Sequence, residues 1–128
     1  MKKLPSLKQL KKTTWESFSK QIRKANASHE GYVSCVSCGK TEHWRDTDCG
    51  HYHRNSERNA LLGGNELWYD KRNFAPQCKY CNRMTGEQAG KAWGAKMGET
   101  LHWELYRLKQ TPKKWTREEL LAIKDVDN

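Results

Sequence analysis

Two groups of residues in this chain have the types and spacing to do chemistry. Cys35-Val36-Ser37-Cys38 and Cys78-Lys79-Tyr80-Cys81 are C-x-x-C pairs with 39 residues between them. Each pair turns two thiolates to the same side of a tight knuckle. Two such knuckles make the tetrahedral S₄ set that zinc prefers. Gly39 directly follows the first pair, where a knuckle needs its turn. A redox C-x-x-C would be expected once, in a βαβ context, and disulfides do not suit a reducing compartment. The pairs therefore predict a closed structural zinc site on Cys35, Cys38, Cys78 and Cys81, which contributes folding free energy and no reaction. Cys49 is left over and reads as a buried thiol.

The second group lies between and just after the knuckles. It comprises the run Asp48-Cys49-Gly50-His51-Tyr52-His53-Arg54-Asn55, then Asn73, then Asn82 directly after Cys81. A His, a middle Asn and a third polar residue opening a helix follow the order of an HNH nuclease. The residue types suit phosphodiester hydrolysis. That reaction needs a base to activate water and a hard divalent cation to stabilise charge on the phosphate and leaving oxygen. A neutral His serves as base near pH 7. Aspartate and an Asn carbonyl are oxygen donors that suit Mg²⁺. Arg54, Arg58, Lys71 and Arg72 surround the run as phosphate contacts or as a solvated face. His51 and His53 as extra zinc ligands are disfavoured, because four cysteines already fill the shell. Asn73 taken alone is also a common turn residue. His29, His43 and His102 have no companions at useful spacing.

Three zones must position these groups. Residues 1–30 are basic, and Trp15, Phe18 and Ile22 form one stripe of an amphipathic helix, capped by Thr13 or Thr14. The stripe reads as core; the lysines face either DNA or water. Residues 31–90 hold both groups, with short strands expected around Tyr32–Val36, Asp48–His53 and Glu66–Tyr69. Residues 91–128 read as helical. Gly86, Gly90, Gly94 and Gly98 recur every fourth residue. Each weakens a helix by about 1 kcal/mol relative to Ala, so a break near one end is expected. A helix over Glu99–Lys109 carries Leu101, Leu105 and Leu108. Thr116 and Glu119 form a capping box for a last helix through Ile123.

Composition sets the outer bounds. The chain has 128 residues, about one domain's worth, and only 35% are hydrophobic. Its mean hydropathy is −1.08. So polar a chain buries a modest core and needs another source of stability, such as bound metal. Its formal charge of +9 favours a polyanionic partner, because phosphates neutralised by Lys or Arg release counterions. No apolar run approaches a membrane span or signal segment, so a cytoplasmic location without membrane contact is expected.

The pattern C-x₂-C … G-H-x-H … C-x₂-C-N resembles the zinc-containing phage recombination endonuclease VII type, and more closely the phage NinG/Rap recombination nucleases. The matching stretches are Phe18 to Arg23, Cys35 to Gly39, Asp48 to Tyr52, Asn73 through Asn82 with Gly86, and Lys114 to Lys124. They cover roughly residues 15–124. The resemblance implies His51 as general base, Asn82 as a ligand of catalytic Mg²⁺ or Mn²⁺, and the four cysteines on zinc. The middle Asn, here Asn73, would brace the loop and orient the His backbone. Many HNH enzymes place Asp or His immediately before the base, where this chain has Gly50. Asp48 is then the first choice for the remaining metal ligand, and His53 the alternative, contacting metal or phosphate.

The expected fold is α+β: a zinc-knuckled ββα-metal core, a basic helix before it and a helical extension after it. The resemblance implies branched DNA as the partner, such as Holliday junctions and D-loops; symmetric cutting of a junction would favour a homodimer, joined through the C-terminal helices. A non-catalytic DNA-binding zinc module and a zinc-knuckle protein adaptor are the rival readings.

Overall fold

The computed structural model describes residues 3–54 and 64–126. The expected Arg58 contact lies outside the described residues. The first helix, α1, spans Leu7–Lys24. It begins earlier than the threonines suggest, because Ser6 and Gln9 complete a reciprocal capping box. Thr14 is instead fully buried, and its hydroxyl donates to the carbonyl of Leu120 at 3.2 Å. Phe18 and Ile22 on the expected stripe enter a core with Phe74, joined by half-buried Trp15, Cys49, Tyr69 and Ile123. Phe18 meets Phe74 and Tyr69 edge to face, at 5.1 and 5.4 Å between ring centroids.

Two small antiparallel sheets follow. Strand β1 (Tyr32–Ser34) pairs with β2 (Thr41–His43), and β3 (Asp48–His51) pairs with β4 (Phe74–Gln77). The strand expected at Glu66–Tyr69 is a turn. There the Asn65 side chain accepts from the Leu67 N–H, a local bond that competes with strand pairing. The strand beside β3 is Phe74–Gln77, despite Pro76, which lies opposite Cys49 and accepts from the Val36 N–H through its carbonyl.

Helix α2 (Lys79–Arg83) begins directly after β4. Helices α3 (Gly86–Met97) and α4 (Glu99–Lys109) meet at Gly98, whose φ of +91° marks the break. The glycine row thus holds through one continuous helix and fails only at its end. Helix α5 (Arg117–Lys124) carries the expected Thr116–Glu119 capping box. It lies along α1, where Ser17 and Gln21 donate to the carbonyls of Lys124 and Ile123 at 2.8 Å each. The molecule is a mixed α+β fold whose two ends pack together. No helix among the described residues is long and apolar enough to cross a membrane.

Candidate metal centre and active site

The ligand atoms of Cys35, Cys38, Cys78 and Cys81 all lie within 4.8 Å of one another, close enough to hold one metal ion such as zinc. All five cysteines are free thiols. Each knuckle is drawn from its own backbone: the Cys38 N–H reaches Cys35 Sγ at 3.5 Å and the Cys81 N–H reaches Cys78 Sγ at 3.4 Å. Gly39 closes the first turn at φ +81°. Burial pushes the Cys35 thiol up, yet N–H groups of Cys38, Cys78 and Ser37 outweigh it and bring the pKa to about 6. Burial and shared hydrogen bonds with the other thiols push Cys81 up to about 12. Cys49 stays outside the cluster, and burial raises its thiol to about 12, which leaves it inert.

The cysteine cluster also positions the second group. Cys78 is the N-cap of α2, and its carbonyl accepts from the Asn82 N–H at 2.9 Å. Holding Cys78 therefore holds Asn82. Asn82 and His51 line one cavity of about 400 Å³, together with Arg54, Gln77, Glu87 and Trp93. Partial desolvation there, then the charges of Arg54 and Lys109, hold His51 below its usual 6.5. Its neutral, basic form thus dominates at neutral pH.

Asp48, at the other end of β3, reaches Asn82. The Asn82 amide donates to one carboxylate oxygen at 2.8 Å. Arg83 grips both oxygens at 3.0 and 3.2 Å, and Lys79 approaches at 3.5 Å. Burial raises the carboxyl pKa, but these partners outweigh it and hold it below the usual range. In donor type the Asp48–Asn82 pair fits a hard divalent cation. Lys79 and Arg83 would have to release the carboxylate, and both are exposed chains whose surface ion pairs are worth only about 0–1 kcal/mol. The departure at Gly50 has a steric cause, since a Cβ there would overlap the Gln77 side chain.

Asn73 is fully buried and clamps the backbone beyond His51. Its Oδ1 accepts from the His53 N–H at 2.9 Å and its Nδ2 donates to the His53 carbonyl at 3.0 Å. The His53 ring turns away toward α4, where Nε2 meets the His102 carbonyl at 3.0 Å. It does not line the cavity with His51. Arg72 is bound in ion pairs to Asp70 and Glu104 at 2.7 and 3.0 Å, while Lys71 is exposed.

Sequence reasoning missed Lys79, Arg83 and His102. His102 Nδ1 lies 2.6 Å from the Tyr52 hydroxyl. That pairing spans 50 residues and has no sequence signature. Lys79 and Arg83, by contrast, flank Asn82 on α2, with Lys79 three residues before it and Arg83 immediately after, and so were within reach.

A family model described as "NinG: Bacteriophage Lambda NinG protein" matches residues 1–128. No curated protein and no solved structure matches the chain.

Proposed function

The chain belongs to the bacteriophage lambda NinG family, and from that premise we propose that it is a metal-dependent DNA endonuclease of the HNH type acting in phage recombination. One observation carries this: His51 and Asn82 line a single cavity, with Asp48 hydrogen-bonded to Asn82. The β3–β4 pair followed by α2 is then the ββα unit, and the cysteine cluster is a structural zinc site that anchors its helix.

In the reaction, the neutral His51 imidazole takes a proton from the water that attacks phosphorus in line. Arg54, exposed at the cavity, receives the phosphate. Asn73 keeps the end of β3 in place, so the His51 backbone does not drift. Asp48 and Asn82 would hold Mg²⁺ or Mn²⁺, which when bound supplies charge stabilisation at the phosphate and the leaving 3′-oxygen. The substrate is DNA, branched by resemblance, and symmetric cutting of a junction calls for a dimer. A monomer in sedimentation, both with and without junction DNA, would remove the dimer.

The test is cleavage of a labelled four-way junction beside a matched duplex in Mg²⁺, Mn²⁺ or chelator, with wild type and His51→Ala. Metal-dependent cutting that disappears in the variant is expected, with the junction preferred. Binding without cutting in every metal would leave the second reading, a non-catalytic DNA-binding module. The ion pairs already made by Asp48 are what favour that alternative.

A further inference from the structure

Beyond His51 the chain runs into Tyr52 and His53, whose rings lie against α4. His53 faces Tyr106 at 6.0 Å between centroids, and Tyr106 meets Trp103 at 5.6 Å with ring planes 82° apart. Helix α4 buries Leu105 completely but leaves Trp103 at 55% and Tyr106 at 42% exposure. Two large rings therefore stand in water beside the candidate active site. An edge-on neighbour leaves a ring face open to a third planar group. Cations lie nearby: Arg107 is exposed beside Tyr106, Arg54 is exposed at the cavity, and Lys109 is close enough to lower the pKa of His51, while Glu99 is exposed on the same helix and Glu104 is tied to Arg72.

We infer that Trp103 and Tyr106 form a stacking platform for unpaired bases of the DNA whose backbone enters the His51 cavity. This rests on the nuclease reading and deepens it, by naming what part of a branched substrate the protein holds. Duplex DNA offers no free base face, whereas a flap, bulge or junction centre does. Aromatic rings set in a cationic surface are how proteins grip unpaired bases, because every base has a π-face. The formal charge of +9, and Lys109, three residues beyond Tyr106 and near enough to act on His51, favour a nucleic acid over an apolar partner on this face.

The test uses the full zinc-loaded chain without added Mg²⁺ or Mn²⁺, so that binding is read apart from cutting. The probes are a short duplex with a bulge carrying 2-aminopurine and the same duplex fully paired. Trp103→Ala is expected to weaken bulge binding about 5- to 100-fold and to abolish the quenching of 2-aminopurine. Affinity for the paired duplex should change less than about twofold, since phosphate contacts are untouched. Trp103→Phe should restore most of the difference. Tyr80→Ala, which removes a still more exposed ring on α2, should behave as wild type.

Equal loss on both probes, or no loss on either, would overturn the platform. So would a dimer that Trp103→Ala converts to monomer, which would assign the face to a second copy. Wild type that fails to cut any DNA in Mg²⁺ would sink the nuclease reading, yet a bulge-specific loss in Trp103→Ala would still uphold base stacking.

Discussion

The cysteine cluster and the His51 cavity share one short helix, where Cys81 and Asn82 are neighbours, yet they are built on opposite terms. In the cluster, Cys35, Cys78 and Cys81 are buried, and four like donors point at one centre. In the cavity, His51, Arg54 and Asn82 are exposed, and the donors differ from one another. A closed set of identical ligands is suited to holding a helix start in place. An open, mixed set is suited to meeting a substrate. The link is Cys78, which belongs to the cluster and caps the helix that carries Asn82. Stability invested in one region thus supplies geometry to the other.

The largest effect should come from the cluster. Structural zinc in small domains contributes about 10–16 kcal/mol in apparent terms, as much as a whole domain's net stability. Cys78→Ser, or stripping with a chelator, should abolish the cooperative thermal transition seen by circular dichroism. A Cys78→Ser protein that melts like wild type would break the comparison. Metal affinity should also rise with pH, because Cys78 and Cys81, raised by burial, must lose protons to bind; a competition titration with a chromophoric chelator reads this.

His51→Ala should show the reverse profile. Cleavage should fall about 10²- to 10⁴-fold, as for loss of a general base, with melting temperature little changed because His51 is an exposed residue at the cavity. In the wild type, the acid limb of kcat/KM should level off below pH 6.5. Partial desolvation at the cavity and two cations disfavour the imidazolium, so the neutral base persists to lower pH. Arg54→Gln removes one cation and should move that limb to higher pH.

Asn73→Ala tests the clamp on the backbone beyond His51. It leaves the His53 N–H and carbonyl without their partners in a half-buried place, at a cost of about 1–3 kcal/mol in urea unfolding. Activity should fall with it as β3 loosens next to His51.

The smallest effects lie along α3, which touches both regions. Gly90→Ala meets nothing within 4 Å and should stabilise the helix by about 0.5–1 kcal/mol. Gly94→Ala would set its Cβ 2.7 Å from the Tyr52 hydroxyl and disturb the Tyr52–His102 bond, so it should lose that gain. Equal melting shifts for the two variants would show that the close approach carries no weight.

Much of the fold was legible because its signals are local. The Trp15, Phe18 and Ile22 stripe, the Thr116–Glu119 box and the helix over Glu99–Lys109 each act within a few residues. The α1 cap was misread because the capping Ser6 lies about two turns before the threonines, and Thr14 looks like a cap only if its distant partner Leu120 is ignored. The strand at Phe74–Gln77 was hidden by Pro76, and the one expected at Glu66–Tyr69 was lost to a side-chain bond from Asn65. Both errors concern which segments become strands, and for Phe74–Gln77 that is decided by pairing with β3 across more than 20 residues of chain.

The sequence by itself determined the cysteine cluster and the candidates His51, Asn73 and Asn82, because thiol spacing and residue type are written along the chain. Only the tertiary structure decided how those candidates are engaged: Asp48 held by Lys79, Asn82 and Arg83, the His53 ring turned to His102, Arg72 held by Asp70 and Glu104, and Gly50 hemmed in by Gln77. A residue's type limits the chemistry open to it. Which part of that chemistry remains available depends on neighbours that folding brings from elsewhere, often from far along the chain.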